Sequence, residues 1–128
     1  MRLLLDTHVF LWFIIADPKL SARAEQAIRH DENTALLSIA SVWEIAIKVK
    51  QGRLAIPQPL DVFIPHQLQA NKIGLLPVEL QHTYEIARLP LHHRDPFDRL
   101  LIAQAMTEDI PVVSTDSAFD AYPVQRLW

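Results

Sequence analysis

The chain has 128 residues, half of them hydrophobic, and its 15 acidic residues exceed its 12 Lys plus Arg, giving a formal net charge of −3. This length predicts a single domain spanning residues 1–128 with a sizeable core, and the acidic balance counts mildly against a nucleic-acid binder. The absence of cysteine excludes disulfides, thiolate zinc sites and thiol nucleophiles, and having only Gly52 and Gly74 excludes a P-loop or a glycine-rich dinucleotide fingerprint.

No apolar run reaches the length of a membrane span, and the segment from Met1 to Asp6 becomes acidic too soon to serve as a signal peptide. We therefore expect a cytoplasmic protein with no contact to a membrane.

Strand and helix patterns alternate along the chain. Short apolar runs predict strands at 2–5, 34–38, 73–76, 111–114 and, at an edge, 124–127. Apolar residues at helical spacing predict helices at 7–15, 21–30, 41–52, 61–72, 78–89 and 96–108, with a short helical turn at 117–121. This alternation favours a parallel sheet covered by helices on both faces.

Capping patterns predict several helix ends. Ser41-Val-Trp-Glu44 has the form of a capping box, so we expect Ser41 to open a helix that stops at Gly52. Asp95 is predicted to be the N-cap of the helix 96–108, and Pro96 to occupy its first helical position. Pro65 is expected either to be accommodated in the helix 61–72 or to split or end it.

Four acidic residues lie where such a sheet brings side chains together. Asp6 and Asp116 follow predicted strands, while Glu44 and Asp98 belong to the first turns of predicted helices. Open α/β sheets bind ligands at the carboxyl ends of their strands. Because clustered carboxylates repel one another unless a cation lies between them, a shared site points to a divalent metal ion and a metal-dependent phosphodiester hydrolase.

Each acid also has a purely structural interpretation. Asp6 and Asp116 are suited to cap the helices that follow them, and Asp98 to stabilise a helix dipole. Glu44 precedes Lys48 by four residues, the spacing of an exposed ion pair on a helix. The joint placement of all four at strand ends or first helical turns favours the site.

Four motifs occur in order along the chain: Asp6-Thr-His; Trp43-Glu44-Ile with Lys48 and Gly52-Arg53-Leu54 beyond it; His93-Arg94-Asp95-Pro96-Phe97-Asp98-Arg99 leading into Ile102-Ala103-Gln104-Ala105; and Ser114-Thr115-Asp116. Together they resemble PIN-domain proteins, and in particular the VapC-type ribonuclease toxins of bacterial and archaeal toxin–antitoxin pairs. The resemblance spans nearly the whole chain. It implies a three-layer α/β/α domain with a central, mainly parallel sheet, whose acidic pocket binds Mg²⁺, or alternatively Mn²⁺, and hydrolyses RNA.

Carried over residue by residue, the resemblance implies that Asp6, Asp98 and Asp116 bind the metal ion. It leaves Glu44 either to contact the ion or to position the attacking water, and no protein nucleophile is then required. Thr7 and Thr115 would form hydrogen bonds in the pocket from beside its carboxylates, as groups outside the metal ligands that orient those ligands.

The third acid requires a choice between Asp95 and Asp98. Family members place it at the start of a helix with small residues five and seven positions later, which here are Ala103 and Ala105. This selects Asp98 and makes Asp95 an outer or capping residue, although the two could exchange roles.

Basic residues near the motifs offer a route for RNA. Lys48, Arg94 and Arg99 are expected at the pocket rim, where they would attract phosphates, and the alternative is that they are ordinary solvated charges. His92 and His93 are interpreted as loop residues and not as zinc ligands, because adjacent side chains rarely chelate one ion.

The resemblance further implies an antitoxin partner whose flexible segment covers the active-site groove. An Arg or Lys of this partner would bind the pocket's carboxylates in place of the metal ion. Phe10, Trp12 and Phe13 are candidates for a grip beside it or for a homodimer surface, with burial in the core as the alternative.

Two other classes of protein are compatible with acids at strand ends. A receiver-like signalling domain also binds Mg²⁺ there, but it needs adjacent acids after the first strand and a lysine at a late strand end; here only Asp6 follows that strand and no lysine lies beyond Lys72. A non-catalytic interaction module would use the acids as helix caps alone.

Overall fold

The computed structural model describes residues 1–128 and contains one five-stranded sheet in which every neighbouring pair of strands is parallel. Its strands are β1 (Arg2–Leu5), β2 (Thr34–Ser38), β3 (Gly74–Leu76), β4 (Val112–Val113) and β5 (Arg126–Leu127). Their order across the sheet is β3-β2-β1-β4-β5, so β1 is central and the last strand forms an edge. The predicted α/β class is confirmed.

Six α-helices connect the strands, together with a short 3₁₀ helix. They are α1 (Thr7–Ile14), α2 (Ala22–Arg29), α3 (Ile39–Lys50), α4 (Leu60–Ala70), α5 (Leu80–Arg88) and α6 (Pro96–Glu108), and the 3₁₀ helix is Ser117–Ala121. None of these helices is both long enough and apolar enough to cross a membrane.

Alternation along β1 divides the core into two layers. Leu3 and Leu5 point to one face, where they pack with buried side chains of α1 to α4, while Leu4 points to the other face, beside buried side chains of α6. All three leucines are fully buried. Because both faces of the sheet are covered by helices, the protein has the predicted three layers.

The strand register sets which residues meet at the carboxyl edge. Leu5 of β1 pairs with Leu37 of β2 and with Val113 of β4. The backbone N–H of Asp6 continues the ladder by donating to the Val113 carbonyl at 3.0 Å. Strands β1 and β4 therefore end in the same row of the sheet, and β2 ends one residue beyond it.

The predicted start of α3 at Ser41 is wrong. The helix begins at Ile39, and the Ser38 hydroxyl caps it by accepting the backbone N–H of Ala40 at 3.0 Å. Ser41 lies inside the helix, where its buried hydroxyl accepts a hydrogen bond from the Thr7 hydroxyl at 2.8 Å. Two serines three residues apart both suit a cap, and the end of β2 selects the first.

Other predicted boundaries hold closely. Gly52 has φ of 72°, as a left-handed stop after α3 requires, and α4 continues through Pro65 without a break. The Asp95 carboxylate caps α6 by accepting the backbone N–H groups of Phe97 at 2.8 Å and Asp98 at 3.3 Å.

Ser38 has a second role that makes its loss costly. Its hydroxyl donates to the side-chain oxygen of Gln104, and both residues are fully buried. We expect Ser38→Ala to lower the free energy of unfolding by about 2 kcal/mol, because it removes a cap and leaves a buried amide oxygen unpaired. Urea denaturation would measure this. Ser21→Ala, which removes only the half-buried cap of α2, should cost about 1 kcal/mol or less, and equal costs would contradict the role of Gln104.

Candidate active site

A cavity of about 310 Å³ lies at the carboxyl edge of the sheet. Its lining is dominated by carboxylates and consists of Asp6, His8, Trp12, Glu44, Asp95, Asp98, Thr115 and Asp116. A larger cavity of about 480 Å³ lies at the amino ends of β2 and β3, beside Arg29, His30 and Lys72, and contains only one acid. The chemistry that the sequence predicts belongs to the smaller cavity.

All four predicted acids reach this cavity from different elements. Asp6 directly follows β1, Glu44 lies on α3, Asp98 in the first turn of α6, and Asp116 between β4 and the 3₁₀ helix. Asp116 also caps the 3₁₀ helix by accepting the Ala118 backbone N–H at 2.9 Å. The sheet and the helices on its two faces thus converge on one acidic pocket.

Asp6 is the most buried acid, with 7% of its surface exposed. Burial raises the pKa of its carboxyl group, and a hydrogen bond from the Ser114 hydroxyl, 2.7 Å from Oδ2, opposes that rise. The Ser114 hydroxyl also accepts the backbone N–H of Asp116 at 3.0 Å. Ser114 therefore ties two of the acids together, a role that the sequence did not predict and that its place at the end of β4, next to β1, explains.

Asp98 is crowded by the other carboxylates of the pocket. Burial, together with the negative charges of Asp6, Asp95, Glu44 and Asp116, raises its pKa to about 7. Carboxylates that crowd each other in this way favour either a shared proton or a cation. The pocket is therefore suited to bind positive charge.

Glu44 forms the ion pair that its spacing predicts, but the pair is not exposed. Its Oε2 lies 3.1 Å from the Lys48 ammonium, and only 14% and 21% of the two side chains are exposed. Because Glu44 also lines the cavity, Lys48 is paired with an acid of the pocket wall. The interpretation of Glu44 as an ordinary surface partner of Lys48 is wrong.

His93 lies between two of the acids. Its Nε2 is 3.0 Å from Oδ2 of Asp98 and 3.7 Å from Oδ2 of Asp116, and one potential ligand atom from each of the three residues falls within 4.8 Å of the others. The sequence correctly placed His93 in a loop but missed this contact. The sequence signal that could have revealed this contact is that His93 precedes Asp98 by five residues, with the start of α6 between them.

Arg99 does not have the predicted role at the pocket rim. Its guanidinium donates to the Tyr122 hydroxyl and to backbone carbonyls, including those of Pro90 at 2.9 Å and His93 at 3.3 Å. Since its donors are used to hold the loop before α6, Arg99 is not available to bind phosphate. Arg94 of that loop is exposed.

The two threonines differ from their predicted role. Thr7 is buried and its hydroxyl donates to Ser41, so only its backbone N–H supports the Asp6 carboxylate. Thr115 lines the cavity but is exposed, and the hydroxyl that contacts a carboxylate is that of its neighbour Ser114.

The aromatic residues of α1 divide between core and pocket. Phe10 and Phe13 are buried in the core, so neither offers a surface to a partner. Trp12 lines the cavity and packs against Trp128 with ring centroids 6.0 Å apart.

Comparison with known proteins extends these observations. Residues 3–125 match the family model described as PIN domain. The chain is 36% identical to Ribonuclease VapC16 of Mycobacterium tuberculosis over 75 residues, which cover 56% of this chain and about half, 52%, of that protein. It is 29% identical to Ribonuclease VapC22 of the same organism over 114 residues, covering 88% of this chain and 85% of the relative.

Solved structures share the fold. The chain superposes on VapBC2 from Rickettsia felis, bound to a DNA fragment from its promoter, with a TM-score of 0.74, 15% identity and full coverage of both chains. It superposes on VapBC-1 from nontypeable Haemophilus influenzae with a TM-score of 0.68 and 14% identity, covering 98% of this chain and 96% of that one.

The raised pKa of Asp98 predicts how stability depends on pH without metal. At pH values between about 4 and 7 the folded protein retains a proton that the unfolded chain has released, so the free energy of unfolding falls as pH rises through this range. We expect the free energy of unfolding of the wild-type protein, measured by denaturation in chelator, to be lower at about pH 8 than at about pH 5 by up to about 3 kcal/mol. The Asp98→Asn variant should show a smaller fall in the free energy of unfolding between these pH values. The Asp61→Asn variant, which changes an exposed acid on α4, should show the same fall as wild-type. Equal losses in all three proteins would contradict this assignment.

Proposed function

The chain belongs to the PIN-domain family, and on this basis we propose that it is a metal-dependent endoribonuclease acting as the toxin of a toxin–antitoxin pair. The observation that carries the proposal is the convergence of Asp6, Glu44, Asp98 and Asp116 from four separate elements on one cavity. The names of the two curated relatives support the reaction, and the VapBC complexes among the structural neighbours support the pairing with an antitoxin. Residues 1–128 would act as one PIN-like domain.

The donor set fits a hard divalent cation. Asp6, Asp98 and Asp116 present carboxylate oxygens, the ligands that Mg²⁺ and Mn²⁺ prefer, and burial together with the neighbouring carboxylates raises the pKa of Asp98 to about 7. These three residues would hold Mg²⁺, with Mn²⁺ as the alternative. When bound, such an ion lowers the pKa of a coordinated water and stabilises negative charge on the phosphate.

The other pocket residues would serve the reacting groups. Glu44, which lies 3.1 Å from the Lys48 ammonium and lines the cavity, would accept a hydrogen bond from the attacking water and so orient it. Ser114 fixes the Asp6 carboxylate through its Oδ2. The exposed Arg94 would meet an RNA phosphate at the rim, a task that Arg99 cannot share.

The alternative functions receive less support. A receiver-like domain is disfavoured because the residue after Asp6 is Thr7, whose hydroxyl is bound to Ser41. A non-catalytic module accounts for the caps formed by Asp95 and Asp116 but not for the burial of Asp6 in the same cavity. A homodimer, for which the aromatic residues of α1 were the candidate surface, stays a prediction.

Replacing each acid by its amide tests the site. Asp6→Asn, Asp98→Asn, Asp116→Asn and Glu44→Gln should each lower Mg²⁺-dependent or Mn²⁺-dependent cleavage of structured RNA by about 10²-fold or more. Folding should persist, because the acids repel one another in the absence of metal.

Two controls make this assay decisive. Asp61→Asn changes an exposed acid remote from the cavity and should retain wild-type activity. Asp95→Asn keeps an effective helix cap, so a loss confined to this variant, with Asp98→Asn active, would transfer the role of third acid to Asp95. Cleavage by wild-type protein that is insensitive to chelator would refute metal dependence.

The toxin role predicts a cellular phenotype. Expression of the wild-type chain alone should arrest growth, and co-expression of the small open reading frame next to its gene should restore growth through a stable complex. Asp116→Asn is the matched control and should be harmless when expressed alone. If the wild-type protein cleaves RNA but does no harm when overproduced, the toxin role fails and the nuclease role stands.

A further inference from the structure

The position of His93 bears on how the carboxylates of the pocket are held. Building on the proposed function, we propose that His93 is a positioning residue whose Nε2–H group orients Asp98 and Asp116, and that it is not itself a ligand of the metal ion. Its Nε2 is the nitrogen that faces both carboxylates, at 3.0 Å and 3.7 Å.

The second ring nitrogen distinguishes these two roles. Nδ1 of His93 accepts the backbone N–H of Asp95 at 3.1 Å, so it carries a lone pair and the hydrogen of the neutral ring lies on Nε2. A histidine that binds metal through Nε2 carries its hydrogen on Nδ1 and donates it to an acceptor. Here Nδ1 faces a donor. The ring is therefore set to donate to the carboxylates.

The backbone of His93 is fixed by a cluster of hydrogen bonds. The buried Tyr122 hydroxyl accepts the backbone N–H of His93 at 2.8 Å and donates to the Pro90 carbonyl at 2.7 Å. The Arg99 guanidinium donates to the carbonyls of both Pro90 and His93. Although residues 90–95 form no regular element, His93 is anchored at its N–H, its carbonyl and its ring.

This anchoring gives the histidine a defined effect on metal binding. Nε2 lies 3.0 Å from Oδ2 of Asp98 and 3.7 Å from Oδ2 of Asp116, so the positive end of its N–H group attracts both carboxylates, opposes their mutual repulsion and keeps them in the cavity. Outer partners of this kind typically change metal affinity by about 10-fold to 100-fold when they are removed. Arg99 and Tyr122 would contribute to metal affinity through His93, without touching metal or RNA.

Binding of Mn²⁺ to the purified full-length protein tests the proposal without relying on cleavage. His93→Leu removes the donor and should weaken Mn²⁺ binding, followed by the electron paramagnetic resonance signal of free Mn²⁺, by about 10-fold to 100-fold. His93→Gln retains an N–H at the end of a side chain of similar reach and should bind close to wild-type. His92→Leu, which changes the exposed neighbouring histidine, is the matched control and should also bind as wild-type.

A spectroscopic measurement separates positioning from ligation. If His93 is a ligand, pulsed resonance spectra of the wild-type Mn²⁺ complex will show coupling to a directly bound imidazole nitrogen, and both His93 variants will lose affinity equally. That result overturns the proposal, as does unchanged binding by His93→Leu with circular dichroism confirming its fold. Failure of wild-type protein to bind Mn²⁺ would instead overturn the proposed metal-dependent function together with this role.

Discussion

The parallel register of β2, β1 and β4 is the constraint on which the pocket depends. Because Leu37, Leu5 and Val113 are paired across the sheet, the residues that follow them, Ser38, Asp6 and Ser114, lie side by side at its carboxyl edge. A slip of one residue would turn every apolar side chain of β1 to the opposite face, so burial of its leucines fixes the register strongly. The hydrophobic core thereby determines that Ser114 reaches the carboxylate of Asp6.

The gathering of acids in the pocket lowers its local stability when no metal ion is bound. Asp6 is buried, and Asp98 is half-buried and surrounded by four other carboxylates, so the free energy of the metal-free pocket is raised by desolvation and by repulsion. The surrounding fold holds the acids together nonetheless, through the backbone ladders of the sheet and the Ser38 cap of α3, which do not depend on charge. Departures from local stability of this kind are expected at functional sites, where a ligand supplies the missing interaction.

The sequence predicted what depends on local patterns. The order of strands and helices, the cap at Asp95 and the convergence of the acids follow from periodicity, turn residues and the carboxyl ends of parallel strands, and the family suggested by the four motifs is confirmed. Prediction from the sequence failed where tertiary contacts decide which of several equivalent residues takes a role. Ser38 and Ser41 are equally good caps until the end of β2 is known, and whether Arg99 is free depends on carbonyls up to 13 residues away in sequence.

The segment from His93 to Asp98 shows how one motif combines structure with chemistry. Asp95 caps α6, and its backbone N–H also sets the hydrogen on the His93 ring by donating to Nδ1. Asp98 lies three residues beyond the cap, within the first turn of α6, where its carboxylate meets the other nitrogen of that ring. Arg99, one residue further, turns back to hold the loop. A change at the cap would therefore alter the position of the histidine, and through it the acid, so the spacing within this segment is a requirement of the site as much as of the helix.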